Sequence, residues 1–193
     1  MKHKKIALLV AHSVAGSLNL ALAEHYAETA RTAGHTVEIL WLDQLTFDPI
    51  LHQGYHQQQP LEPDLLAAQQ TIQWADHLVF VYPVWWGSVP AVLKGFLDRV
   101  FLPGFAFCYQ QGKAFPVQLL KGRTAQLLVT TDTPPWFFRW FYRAPAIHQM
   151  KKTTLELCGV RPVKVLLMGP VKNSTDQQRQ KWLQRVAAFA KRA

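Results

Sequence analysis

The sequence predicts an α/β fold: a five-stranded, doubly wound parallel sheet covered by helices on both faces, in three layers. Three observations carry this. Five apolar runs of strand length recur along the chain, helix-patterned segments separate them, and the runs are apolar throughout rather than alternating. Strands buried on both faces read in that way. With 193 residues, 49% of them hydrophobic, the chain suits one domain spanning residues 1–193. Right-handed crossovers place ligands beyond the carboxyl ends of such strands, at the point where the winding reverses.

The elements follow in order. Residues 5–11 (KIALLVA) read as the first strand. Residues 17–33 carry helical spacing, with Leu18, Leu22 and Tyr26 sharing a face with Ala21 and Ala30, and Gly34 stops the helix. Residues 36–42 form a second strand, and the Gln- and His-rich stretch 52–60 reads as a surface loop. Residues 63–75 are a helix with Leu65, Leu66, Ala68, Ile72 and Ala75 on its apolar side. A third strand over 78–82 leads to a helix over 90–101 that Pro90 opens. Residues 124–131 are the fourth strand, 146–157 a helix ending at Gly159, and 162–168 the fifth strand. The last helix opens on a capping box of the S-x-x-Q kind, Ser174 to Gln177, and turns Trp182, Val186 and Phe189 inward.

Composition excludes several classes. Cys108 and Cys158 form no CxxC pair and have no histidine cluster beside them, so two reduced cysteines are expected and neither zinc nor a dithiol centre. The basic start from Met1 to Lys5 precedes an apolar run too short for a leader, and no run approaches the ~20 residues of a membrane span. A soluble, cytoplasmic protein is the expectation. The formal charge is +9, concentrated in residues 121–193, where 14 Lys and Arg face Asp132, Glu156 and Asp176. Such a region attracts phosphorylated nucleotides or anionic surfaces, or is a solvated face. No zinc-finger spacing, RNP-like strand or zipper-type basic helix accompanies it, so nucleic acid is not an expected partner.

Chemistry is expected in the loops after the first, third and fourth strands. The first, His12-Ser13-Val14-Ala15-Gly16-Ser17-Leu18-Asn19, opens a helix, where backbone amides and the dipole favour an anion. It is neither G-x-G-x-x-G nor a Walker loop. Ser17 suits an N-cap whether or not phosphate binds. The second runs Tyr82-Pro83-Val84-Trp85-Trp86-Gly87-Ser88-Val89-Pro90. Two adjacent tryptophans cannot both point inward from one strand, so at least one serves a loop or pocket, and its face or edge can meet a planar ring.

The twenty residues from Tyr82 through Phe101 closely resemble the NAD(P)H:quinone oxidoreductase family, which includes DT-diaphorase-like enzymes, modulators of drug activity and ancillary oxidoreductases of potassium efflux. His12, Ser17 and Asn19 resemble that family's flavin phosphate loop. The resemblance implies a flavodoxin-like fold and a homodimer with its site near the subunit interface. It implies a bound flavin, FMN favoured and FAD possible, that takes hydride from NAD(P)H as co-substrate and passes it to a quinone or similar small acceptor. Residue by residue it implies that His12, Ser17, Leu18 and Asn19 hold the flavin phosphate. Pro83, Val84, Trp85, Trp86 and Gly87 would border the ring, with Thr130, Thr131 and Asp132 beside it. The flavin carries the chemistry, so no side chain is assigned as a nucleophile.

The chain departs from the family after the fourth strand. Where better-known members continue the two threonines with two glycines, Asp132 and Thr133 stand here. Tyr142 and His148 cannot be assigned the roles of the tyrosine and histidine that assist hydride transfer in the mammalian branch. Six of the seven residues from Trp136 to Tyr142 are aromatic, which suits an acceptor pocket, a membrane surface or, asking least, a dimer interface. Two alternatives stay open. One is an ancillary regulatory subunit of a membrane potassium-efflux system, for which the basic tail suits docking. The other is a flavodoxin-type electron carrier, against which the basic charge counts.

Overall fold

Alternation along the strands sets the layers. The computed structural model describes residues 3–113 and 115–193, so the basic start at Met1 and Lys2 lies outside the described residues. Strand β1 (Lys5–Val10) is fully buried past Lys5. It turns Ala7 and Leu9 to one face and Ile6, Leu8 and Val10 to the other. Helix α1 (Leu18–Thr32) and strand β2 (Thr36–Trp41) follow, then helix α2 (Pro63–Trp74), strand β3 (His77–Pro83) and helix α3 (Ala91–Val100). A two-stranded antiparallel excursion pairs β4 (Phe107–Cys108) with β5 (Val117–Gln118). Strand β6 (Thr124–Thr130), short helices α4 (Pro135–Trp140) and α5 (Pro145–His148), a π-helical turn (Gln149–Leu155), strand β7 (Val163–Met168) and helix α6 (Asp176–Ala190) complete the chain.

The five main strands are parallel, in the order β2-β1-β3-β6-β7. That is the expected doubly wound sheet, with its winding reversing between β1 and β3. Helices α1 and α6 cover one face, where Leu22, Tyr26, Trp182 and Val186 pack on Val79, Val81 and Leu128. Leu65, Ile72, Leu93, Phe96 and Leu155 cover the other, over Phe80, Tyr82 and Leu127.

Several local expectations need correction. Ala21 and Leu66 are exposed, and Ala23 and Ala27 take the inward places on α1. The capping box sits one residue later: Thr175 accepts from the Gln178 backbone N–H at 3.2 Å and Gln178 accepts from that of Thr175 at 2.8 Å. Phe189 packs against the core half-buried, as expected, and Ala190 beside it is fully buried. The helix expected over 146–157 begins at Pro145 and widens into the π turn from Gln149. Gly34 ends α1 as expected, in the left-handed conformation at φ 90°.

The loop between β2 and α2 is held rather than loose. Arg99 on α3 has a fully buried side chain and donates to the backbone carbonyls of Asp48 and Pro60 and to the Glu62 carboxylate, the last at 2.8 Å. Gly95, one turn earlier, leaves room for Pro49 to lie against the helix. The amino edge of the sheet carries a second buried polar group. His77 Nδ1 lies 2.6 Å from Thr124 Oγ1, while its Nε2 is buried with no partner. Burial pushes the His77 pKa down to about 3, and the charges of Lys4 and Lys164 add to the shift.

Candidate functional site

At the opposite, carboxyl edge, the loops after β1, β3 and β6 converge, because these three strands are neighbours. They enclose two compartments that share Val84, Thr131 and Asp132 as a common wall. The larger, of about 440 Å³, is lined on its other sides by Trp86, Gly87, Phe138, Tyr142 and Pro145. The smaller, of about 150 Å³, reaches His12, Asn19, Pro83, Trp85 and Thr130.

The loop after β1 is an anion cradle by its geometry. Ser17 caps α1, its hydroxyl accepting from the Leu20 N–H at 3.4 Å. Gly16 stands at φ 70°, a turn conformation that glycine adopts without penalty. The backbone N–H groups of Ala15, Gly16, Leu18 and Asn19 have no hydrogen-bond acceptor among the described residues. Such donors at a helix start bind anions readily. Leu18 contributes this amide only, since its side chain packs on the core beneath α1. His12 accepts the Val14 N–H on Nδ1 at 3.2 Å, and its ring lies 5.7 Å from that of Trp85. Burial lowers the His12 pKa, which keeps the imidazole neutral and its Nε2 proton available to donate.

Strand parity supplies the next contact. Gln126, Leu128 and Thr130 face α1, and each polar one finds a partner there. Tyr26 donates to Gln126 at 2.7 Å, and Thr130 Oγ1 donates to Asn19 Oδ1 at 3.0 Å. The second bond is buried and holds Asn19 Oδ1 against Thr130. The Asn19 amide NH₂ is left as a donor on the wall of the smaller compartment.

The loop after β3 is a tight hairpin. Trp85 and Ser88 exchange backbone hydrogen bonds of 3.0 and 2.9 Å, with Trp86 at φ 52° and Gly87 at φ 76° between them. Positive φ at both central residues is the type I′ pattern. It is unusual for a tryptophan, and the Trp86 side chain is fully exposed. Both tryptophans thus leave the core, where the sequence required only one to do so. Ser88 donates to Gln149 Oε1 at 3.0 Å and ties the turn to the π segment. The N–H groups of Trp86, Gly87 and Asp132 make no hydrogen bond among the described residues and stand at the rim of the larger compartment.

The loop after β6 is stitched to that after β7. The Val171 N–H donates to the Thr131 carbonyl at 3.1 Å, and the Lys172 N–H donates to Asp132 Oδ1 at 2.7 Å. Val171 lines the smaller compartment and nothing in the sequence singled it out. Phe138, Tyr142 and Pro145 line the larger one, and the aromatic run did signal the first two. That run forms α4 with Pro135 in its first turn and Phe138 buried. The Phe137 ring stacks on Phe141 at 4.7 Å and meets Trp136 and Tyr142 edge-on. Trp136 and Trp140 stay exposed, as do Arg139 and Arg143.

The expected site residues therefore meet at one place: ten of them line the two compartments, and Ser17 and Leu18 sit beside it as the helix start. His148 is exposed and lines neither compartment. Among the described residues no helix is long and apolar enough to cross a membrane, and no cluster of metal-binding side chains occurs.

Known proteins resemble this chain along most of its length. The ribosyldihydronicotinamide dehydrogenase [quinone] of Mus musculus is 27% identical over 224 residues, covering 99% of this chain and 94% of its own. An uncharacterized NAD(P)H oxidoreductase of Haemophilus influenzae is 28% identical, covering 89% of this chain and 86% of its own. The solved NAD(P)H:quinone oxidoreductase from Methanothermobacter marburgensis superposes with a TM-score of 0.82 at 27% identity, covering 98% of this chain and 97% of its own. The sequence model of the flavodoxin-like fold matches residues 4–190, and with nearly the whole length covered the chain belongs to that family.

Proposed function

We propose that the protein is a flavin-dependent NAD(P)H oxidoreductase that passes hydride from NAD(P)H to quinones or similar small acceptors. One observation carries the reading: the start of α1, with its orphan amides, meets the smaller compartment at His12 and Asn19, and the exposed turn after β3 borders the same groove through Trp85 and Trp86. A ligand with an anionic tail and a flat, heteroatom-edged head suits that pairing. The residues fit a flavin, and FMN, with its single phosphate, suits the single cradle. When bound, the flavin supplies the two-electron hydride chemistry.

The protein's part is binding, orientation and shielding. The amides of Ala15, Gly16, Leu18 and Asn19 hold the phosphate, with Ser17 and His12 Nε2 adding donors. Thr130 keeps the Asn19 amide turned toward the cofactor. The N–H groups of Trp86, Gly87 and Asp132 would donate to the cofactor's head, which Val84 and Trp85 would border. Trp86, Phe138 and Tyr142 form the apolar walls against which the nicotinamide, and then the acceptor, lies in turn. Sharing one compartment gives alternating, ping-pong turnover. A homodimer that covers the exposed rings of Trp86, Trp136, Trp140 and Phe141 would close the groove from water.

The test uses the purified protein. Its absorbance is recorded, any cofactor is released and identified, and the apoprotein is titrated with FMN and FAD. Saturable binding of FMN at micromolar concentration, with bleaching by NADH or NADPH and recovery on adding a quinone, is expected. Absence of flavin binding overturns the proposal, and binding without bleaching by either nucleotide makes the protein a carrier instead.

A further inference from the structure

We propose that Asp132 sets the redox poise of the site: its carboxylate disfavours the reduced, negatively charged form of a bound flavin and keeps the cofactor strongly reducing. The inference rests on the flavin reading above and concerns a residue on the wall that the two compartments share.

The argument is one of charge. The chain carries +9 overall, yet no lysine or arginine lines either compartment, and Asp132 is the acidic side chain among the described residues that do. It lies on the wall common to both, so a ring spanning them passes beside it. His12, the other titratable group at the smaller compartment apart from Asp132, is kept neutral by burial. The carboxylate is held in place because Oδ1 accepts the Lys172 N–H at 2.7 Å, a bond from a neutral backbone donor that leaves the negative charge uncancelled. Asp132 is solvent-exposed, which tempers its reach without removing it.

Hydride transfer from NAD(P)H breaks the nicotinamide C–H bond and brings two electrons and one proton to the flavin, and oxidised nicotinamide leaves. The flavin thereby gains one negative charge until it takes a second proton from solvent. A carboxylate on the wall the two compartments share would repel that charge and not the oxidised ring, so it weakens binding of reduced flavin relative to oxidised. At the screening of a partly open site the factor is about 2- to 10-fold. Uptake of hydride is then less favourable and its delivery to a poorly oxidising acceptor more so.

The experiment compares FMN-loaded wild type with Asp132→Asn and Asp132→Glu. Asparagine keeps an oxygen to accept the Lys172 N–H and removes the charge, and glutamate keeps the charge. The midpoint potential of the bound flavin is measured by equilibration with a redox dye, and the Kd for oxidised FMN by fluorescence. A positive shift in D132N is expected, equivalent to about 2- to 10-fold less discrimination against reduced FMN, with D132E near wild type and the oxidised Kd little changed. Equal potentials in wild type and D132N overturn the proposal, as does an equal shift in D132N and D132E. Failure of all three proteins to bind FMN overturns the functional reading itself, a separate result.

Discussion

Lowering the pH from about 7.5 to about 5 is expected to cost the fold about 2 kcal/mol at His77 alone. The side chain is 2% exposed, its Nε2 has no partner, and its pKa in the fold is about 3 against 6.5 when unfolded. A depressed histidine pKa means that the unfolded chain takes the proton first. The stability is therefore whole above pH 6.5 and is lost as the pH falls toward 3. Each unit in that window is worth about 1.4 kcal/mol, and the 1.5 units from 6.5 to 5 give the figure above. His35, also depressed by burial and by its neighbours His3 and Lys4, acts in the same direction. A His77→Gln variant therefore isolates the term, since glutamine keeps a polar contact for Thr124 and does not titrate. Urea unfolding at several pH values, all above the range where carboxylates titrate, gives the slopes. Wild type should lose about 2 kcal/mol more than His77→Gln over the window. Equal losses in the two proteins would refute the assignment of that proton to His77.

Thr130→Val removes the donor that orients Asn19 and should weaken FMN binding roughly fivefold, from about 1 kcal/mol of lost hydrogen bonding, read as the Kd of the apoprotein. Trp86→Gly should stabilise the flavin-free protein by about 0.5–1 kcal/mol, because glycine accepts φ 52° without strain. The same change should raise KM for the acceptor, and steady-state kinetics beside thermal melts would read both. Arg99→Met leaves Glu62 with the Asp48 N–H but, like two carbonyls, without the Arg99 donor, and should cost about 2–4 kcal/mol in denaturant unfolding, reduced from a fully buried pair because Glu62 is partly exposed. NADPH should be preferred several-fold over NADH through the exposed Arg139 and Arg143 of the segment after β6, with the preference shrinking as salt rises; initial rates with each nucleotide at low and high ionic strength decide it.

Much of this was legible because it depends on periodicity. The apolar runs at 5–11, 78–82 and 124–131 gave three central strands, and their adjacency then located the site loops. What escaped has physical causes. The π turn over Gln149–Leu155 escaped because apolar spacing does not distinguish a bond to residue i−5 from one to i−4. The pairs β4 and β5 are two residues each, too short for any pattern. Helix α4 is hidden by a run in which nearly every residue is apolar, so no face stands out. The Thr130–Asn19 bond joins residues 111 apart in sequence, and only the sheet order brings them together.

That bond also shows why the groove lies where it does. From the adjacent strands β1 and β3, the chain leaves toward α1 on one face of the sheet and toward α3 on the other. The two loops part, and the gap between them is the groove. Strand β6 closes its far side with two consecutive threonines of opposite parity. Thr130 reaches α1 and fixes the cradle's amide, while the Thr131 carbonyl ties down the loop after β7. The turn at Trp86 is a part of the rim whose conformation opposes its residue type. A fully exposed tryptophan at φ 52° contributes neither burial nor backbone ease to the fold. Under the proposed function, that indole is the wall against which the ligand lies, and a second copy of the chain would be what covers it.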